Sequence, residues 1–235
     1  MSVALLELAA GALGDLVGEV VFVGGATVGL WITDPAAPEP RPTKDVDVVV
    51  EVSSRRRFAA FERRLRERGF REDHDSGVIC RWRRPDSDLV LDAMPTDASI
   101  LGFSNRWQTA AVPHAVARQL PSGTTIAAAS PPYLVATKLE AFAGRGRADY
   151  VASRDFADVV SLFDGRAELV AELELAADDV RSYVASELAR HRAHTRFLDG
   201  VYGGLPPDEA SQARAELVVV PRIEAAIAAV ASGPA

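Results

Sequence analysis

Asp45 and Asp47 stand two positions apart in Asp45-Val46-Asp47-Val48-Val49-Val50, a run whose valines mark a strand. At that spacing both carboxylates leave the same face, about 7 Å apart at their Cα atoms. Two like charges on an otherwise apolar strand repel each other and lose hydration unless a cation lies between them. Hard divalent ions supply such a charge, and Mg²⁺ typically takes one or two carboxylates together with substrate phosphate oxygens. The plain alternative is a solvent-facing strand with acidic alternation. Gly24-Gly25 lies upstream, after the apolar run Val20 to Val23 and before a brief helical stretch ending at Leu30. A strand that ends in two glycines and opens a helix lets backbone N–H groups approach a phosphate closely. Asp92, between Leu91 and Ala93, is a third carboxylate inside a strand. Three converging acids can hold one or two metals, and one of them can take the proton of an attacking hydroxyl. Asp88 shares the parity of Asp92 but falls in a turn and reads as structural.

Lys138 is the informative residue of the second half. Its helical neighbours at three and four positions are Leu134, Val135, Ala141 and Phe142, which puts an ammonium on an apolar face. Such a lysine either snorkels outward or meets an anion, and the anion is the reading favoured here. In the following helix Phe156, Val159, Val160 and Phe163 form the buried stripe. Asp155 flanks that stripe, and Asp158 is expected to point further round. Asp155 also lies in the first turn, where the helix dipole alone favours a carboxylate.

The elements that must position these residues can be read in outline. Leu5, Leu6, Ala9, Leu13 and Leu16 give helical spacing over residues 3–17. Val20 to Val23 is a short buried strand, and Pro35 to Pro42, with four prolines, is a loop. The strand from Asp45 runs to Val52. Ser53 or Ser54 caps a helix reaching Arg68, with Phe58, Phe61 and Leu65 as its apolar stripe and Gly69 as its stop. Gly77 to Arg84 and Leu89 to Met94 are two strands joined through Pro85-Asp86-Ser87-Asp88, a hairpin signal. After Ser130 the pattern turns helical. Ser130-Pro131 starts a helix to Gly144, a loop rich in Gly and Arg follows to Arg147, and Ser153 caps a helix over Arg154 to Phe163. Two or three more helices fill the rest to Val230. The expected fold is α/β (α+β): a mixed-sheet domain over residues 1–129, then a helical domain over 130–235 that contributes Lys138 and Asp155 to the site.

Composition bounds the function. The 235 residues carry 33 acidic and 26 basic side chains, a net charge of −7, and one cysteine, Cys80. That balance argues against a general nucleic-acid coat. The arginine clusters at 55–57, 63–68, 81–84 and 190–196 read first as solvated faces. A lone cysteine excludes an internal disulfide and any cysteine-cluster metal site, which points to a cytoplasmic protein. No apolar run approaches the roughly 20 residues a membrane span needs, and the N-terminus reads as an amphipathic helix in preference to a signal peptide.

Gly24-Gly25, the run Arg41-Pro42-Thr43-Lys44-Asp45-Val46-Asp47 and the later Ala136-Thr137-Lys138-Leu139-Glu140-Ala141-Phe142 together resemble the AbiEii-type nucleotidyltransferases, a branch of the polymerase-β-like superfamily. The resemblance continues through Arg147 and Ser153-Arg154-Asp155-Phe156-Ala157-Asp158, and spans residues 20–165. The family includes toxins of toxin–antitoxin and phage-abortive systems, some of which add nucleotides to the acceptor end of tRNA. The resemblance implies Asp45, Asp47 and Asp92 as metal ligands for Mg²⁺ (or Mn²⁺), and Gly24, Gly25 and Thr43 as the walls of an NTP pocket. It further implies Lys138 on the nucleotide phosphates, and Asp155 or Asp158 in the last motif. The segment between Gly25 and Asp45 is longer than that superfamily usually allows, with the proline-rich loop as the insertion. Three functions follow: an NTP-consuming nucleotidyltransferase acting on tRNA, paired with an antitoxin; the same chemistry on a small aminoglycoside-like acceptor, which the acidic pI favours; or a catalytically silent member that binds a nucleotide or a partner protein.

Overall fold

The computed structural model describes residues 2–102, 105–145 and 149–231. The chain divides into two compact units, one of residues 1–30 and 42–130, the other of residues 31–41 and 131–235.

The first unit is built on a seven-stranded mixed sheet of order β3-β4-β5-β2-β1-β7-β6. Its strands are β1 (Val20–Val23), β2 (Asp45–Val50), β3 (Arg71–Glu72), β4 (Arg81–Arg83), β5 (Val90–Pro95), β6 (Ala115–Gln119) and β7 (Thr125–Ala129). β1 runs antiparallel to β2 and parallel to β7, and β2 runs parallel to β5. The three strands that carry the acids and precede the glycines therefore lie inside the sheet. All four residues of β1 are buried, as a strand read by a continuous apolar run should be.

Around the sheet lie α1 (Ser2–Leu13), α2 (Arg55–Glu67), α3 (Ala98–Leu101) and α4 (Arg106–Ala111). α1 ends earlier than its spacing suggests, because Gly14 takes φ +56° and the chain continues as a 3₁₀ helix over Gly14–Glu19. Ser54 caps α2 by accepting from the Arg57 N–H, and Phe58, Phe61 and Leu65 are its buried residues. Gly77 to Cys80 stay outside β4, so the hairpin is shorter on that side than expected. The hairpin of β6 and β7, and the edge strand β3, have no counterpart among the elements expected from the sequence.

The second unit holds α5 (Pro131–Arg145), α6 (Arg154–Gly165), α7 (Leu169–Glu174), α8 (Asp178–Arg192), α9 (Phe197–Gly203), α10 (Glu209–Arg214) and α11 (Val220–Ala231). A π-helical turn, Ala215–Val219, joins the last two. Five helices thus follow α6 where two or three were expected. Breaks such as Pro206-Pro207 divide the apolar pattern. α5 packs on α6 and α8, and α11 on α7 and α8.

The proline-rich segment belongs to this helical unit. The Thr33 and Asp34 N–H groups both donate to the Gly165 carbonyl, at 2.8 and 2.9 Å. Arg166 Nη1 donates to the Trp31 carbonyl at 3.0 Å. Arg214 reaches Asp34 Oδ2 and Asp164 Oδ1, both at 2.7 Å. Residues 31–41 are thus a strap tied down along its length. Among the described residues no helix is long and apolar enough to cross a membrane. Arg147, part of the family resemblance, lies outside the described residues with its neighbours 146 and 148.

Candidate active site

Strand register assembles the acidic face. β1 places Val23 opposite Asp47, β2 places Asp47 opposite Asp92, and β4 places Arg81 opposite Asp92. Residues opposite one another share a face, so Asp47, Asp92 and Arg81 form one row across three strands. Asp45, two residues before Asp47, projects from the same face.

Gly24 follows Val23 with φ +75°, and a Cβ built there would overlap the Asp47 carboxylate, Oδ2 first. Two independent requirements therefore select glycine: a left-handed backbone and the volume already taken by Asp47. The Thr27 hydroxyl donates to the Gly24 carbonyl at 2.9 Å and fixes the turn. Gly25 opens a six-residue 3₁₀ helix, Gly25–Leu30, which packs against α1. A helix this short has little macrodipole, so close backbone approach is the feature these glycines offer.

Asp45 is held from two sides. Thr43 Oγ1 donates to its Oδ1 at 3.0 Å, and Arg81 Nη2 donates to its Oδ2 at 2.9 Å. The same guanidinium grips Asp92 with two bonds, Nε to Oδ1 at 2.8 Å and Nη2 to Oδ2 at 2.7 Å. These bonds, to Asp92 first, raise the pKa of Arg81 above its ordinary value. Asp92 is 6% exposed, so its charge needs that partner. Cys80, just before Arg81, has its thiol pushed up to about 12, by burial first and then by the charges of Asp92 and Asp47, which leaves it an inert core residue.

Arg81 is the site residue that motif spacing alone passes over, since it sits in one of the arginine clusters assigned to solvated faces. A signal for it did exist. The turn at 85–88 closes with the Arg84 N–H on the Leu89 carbonyl, and counting back along the hairpin puts residue 81 opposite residue 92. Elsewhere the solvated reading holds: Arg55, Arg56 and Arg57 are exposed, and Arg64, Arg66, Arg68, Arg83, Arg190, Arg192 and Arg196 each pair with a nearby carboxylate.

The residues present suit a hard divalent ion. Asp45 and Asp47 offer carboxylate oxygens from one face, and the guanidinium already lodged there shows that this face draws positive charge. No cluster of three His, Cys, Asp or Glu side chains stands ready as a complete ligand set among the described residues. Asp45, Asp47 and Asp92, expected to converge as three ligands, do not form such a group. Beside Asp45 opens a cavity of about 710 Å³, whose walls include Leu5, Leu8, Thr43, Lys44, Arg81 and Arg84. A hollow of the same size, about 710 Å³, lies around Arg66, Gly69 and Arg71, so volume does not select the site; the acids do.

The helical unit brings together Lys138, Asp155 and Asp158. Lys138 is 5% exposed, and its Nζ lies 3.2 Å from Asp155 Oδ1 and 2.6 Å from Asp158 Oδ2. The anion expected for this lysine is thus present as two side chains, and its burial needs no phosphate to explain it. Asp158, expected further round from the apolar stripe than Asp155, is the more buried of the two. It is 1% exposed, with the shorter link to Lys138, because α6 is covered on several sides and buries most of its residues. Arg41, at the end of the strap, adds a fork on Asp158, with Nε to Oδ1 and Nη2 to Oδ2 both at 2.9 Å. Ser153 caps the helix by accepting from the Phe156 N–H, which sets Asp155 in its first turn.

A family model described as nucleotidyl transferase AbiEii toxin, type IV toxin–antitoxin system, matches residues 8–219. None of the curated proteins matches the chain.

Proposed function

Because the chain belongs to the AbiEii family of nucleotidyl transferase toxins, we propose that it moves a nucleoside monophosphate from an NTP to an acceptor hydroxyl with Mg²⁺ (or Mn²⁺) present. The observation that carries this reading is the interlock of Gly24 with Asp47, alongside Asp45 on the same face. It joins a backbone able to approach a phosphate to carboxylates able to hold a cation. Asp45 and Asp47 are the proposed metal-binding carboxylates, Asp92 is the third acid of the face with both oxygens held by Arg81, and Gly24, Gly25 and Thr43 shape the nucleotide pocket around them. When bound, the divalent ion would neutralise charge building on the α-phosphate and on the leaving pyrophosphate. The acceptor oxygen forms the new bond to the α-phosphorus, the α–β bridging bond breaks, and pyrophosphate departs. A carboxylate of the acidic face takes the hydroxyl proton. Lys138, Asp155 and Asp158, also expected at the site, form a buried ion cluster within the helical unit, and no step of the reaction is assigned to them.

We assign tRNA as the acceptor and an antitoxin as the cognate partner, consistent with a toxin of this family. The cavity beside Asp45 carries both signs of charge, Lys44, Arg81, Arg83 and Arg84 with Asp45 and Asp88, and its three arginines are each paired with a carboxylate, so charge alone does not choose the acceptor. The test is to give the protein each NTP with Mg²⁺ and either total tRNA or an aminoglycoside panel, and to follow where the nucleotide goes. Addition to tRNA, lost in Asp45→Ala, is the expected result. Addition to the drug would replace tRNA with a small-molecule acceptor, and an NTP-dependent thermal shift without transfer would make the protein a silent binder. The absence of both transfer and thermal shift would overturn the reading.

A further inference from the structure

We propose that Arg81 is a resident counter-cation that holds the acidic face in its metal-free form and must release Asp45 before a divalent ion binds. This inference rests on the metal-binding role given above to Asp45 and Asp47. Three observations carry it. The Arg81 guanidinium bridges two strands, gripping Asp92 on β5 with two bonds and Asp45 on β2 with one. Both oxygens of Asp45 are already engaged, Oδ1 by the Thr43 hydroxyl and Oδ2 by Arg81. The neighbouring arginines of the hairpin are engaged elsewhere, Arg83 with Asp73 and Arg84 with Asp86.

The physical consequence is competition. A guanidinium 2.9 Å from a ligand oxygen of Asp45 repels any cation approaching that oxygen. Without Arg81, three carboxylates would face one another with less compensation, which destabilises the metal-free protein and strengthens its attraction for divalent ions. The contacts are unequal. Asp92 is buried and doubly bonded, whereas the Asp45 side chain is 36% exposed and singly bonded. Arg81 therefore gives up Asp45 first and stays anchored on Asp92. It is a positioning residue: it sets the metal concentration at which Asp45 becomes available, and it keeps the Asp92 carboxylate aligned throughout.

The test is direct Mn²⁺ binding, without nucleotide, by electron paramagnetic resonance titration of the full chain, alongside thermal unfolding in chelator and in Mn²⁺. Arg81→Gln is expected to bind Mn²⁺ about tenfold more tightly than the parent protein, the scale of a lost charged hydrogen bond. It is also expected to melt lower in chelator and recover more on adding metal. Arg81→Lys keeps a charge but loses the two-point grip; it should bind Mn²⁺ with intermediate affinity, and it carries the test if the glutamine variant does not fold. Unchanged or weaker Mn²⁺ binding in a folded Arg81 variant overturns the inference. Asp45→Asn separates the two failures. If it loses Mn²⁺ while the Arg81 variants bind as the parent does, the metal site stands and the counter-cation role falls. If it binds Mn²⁺ as the parent does, the metal assignment falls and takes the inference with it.

Discussion

Gly24 is the residue at which backbone and chemistry are least separable. Its φ of +75° disfavours any side chain, and the space a Cβ would need is held by the Asp47 carboxylate. Gly24→Ala is expected to lose about 1–2 kcal/mol from the left-handed backbone alone. It should also lose about a hundredfold in transfer rate, because Asp47 must move. Urea unfolding and initial rates together check this; a variant with parental transfer would show that Asp47 can shift without consequence. At this scale geometry was legible where one strand sufficed, as for the shared face of Asp45 and Asp47 and the turn at the glycines. It was less so for Arg81, whose part depends on two strand registers, although the Pro85–Asp88 turn already contained one of them. Lys138 was legible as a residue needing an anion; that the anion is a pair of aspartates, one forked by Arg41, required the fold.

At the scale of elements, the strap at residues 31–41 accounts for the long insertion between the glycines and the acids. Four prolines announce a loop, but nothing local announces that Arg214, some 180 positions along the chain, will hold Asp34. Gly165 is the other anchor. It donates no side chain, and a Cβ there would come within 2.6 Å of Ile32 Cδ1. Burial raises the pKa of Asp164 despite its bond to Arg214, while the Arg214 bond lowers that of the more exposed Asp34. Arg214→Met should therefore cost about 3 kcal/mol by leaving a buried carboxylate poorly compensated. Asp34→Asn should cost less, about 1 kcal/mol, because the Asp34 carboxylate is the less buried of the two. Denaturant midpoints of the two variants check the ordering, and equal losses would contradict it. The strands that the sequence did not announce have a similar origin. Thr125 to Ala129 is rich in alanine, and becomes a strand inside the sheet because β6 offers it an antiparallel partner and β1 a parallel one.

Over the whole molecule, the mixed α/β fold was legible because its strong strands and capped helices carry local signals. The number of C-terminal helices was not, because packing decides where a weak apolar pattern breaks. The helical unit also carries the molecule's clearest pH dependence. His191 is 2% exposed and bonded through Nδ1 to the Tyr150 hydroxyl at 2.8 Å. Burial first, then Arg190, lowers its pKa from 6.5 to about 4. The unfolded chain binds this proton between those values and the folded chain does not. Stability is therefore full above pH about 6.5 and falls as pH drops toward about 4, by on the order of 3 kcal/mol. Melting temperatures at neutral pH and near pH 4.5 should differ less in His191→Gln than in the parent protein; an equal difference would place the acid sensitivity elsewhere.

The proposed reaction breaks the bond between the α- and β-phosphates of an NTP at the acidic face. The most direct test compares NTP labelled at the α-phosphorus with NTP labelled at the γ-phosphorus, given to the protein with Mg²⁺ and total tRNA. The α-label should appear on the acceptor and the γ-label in released pyrophosphate, and both should vanish in Asp45→Asn and Asp47→Asn. Transfer of the γ-label to the acceptor, or α-label transfer that persists in both variants, would contradict that chemistry.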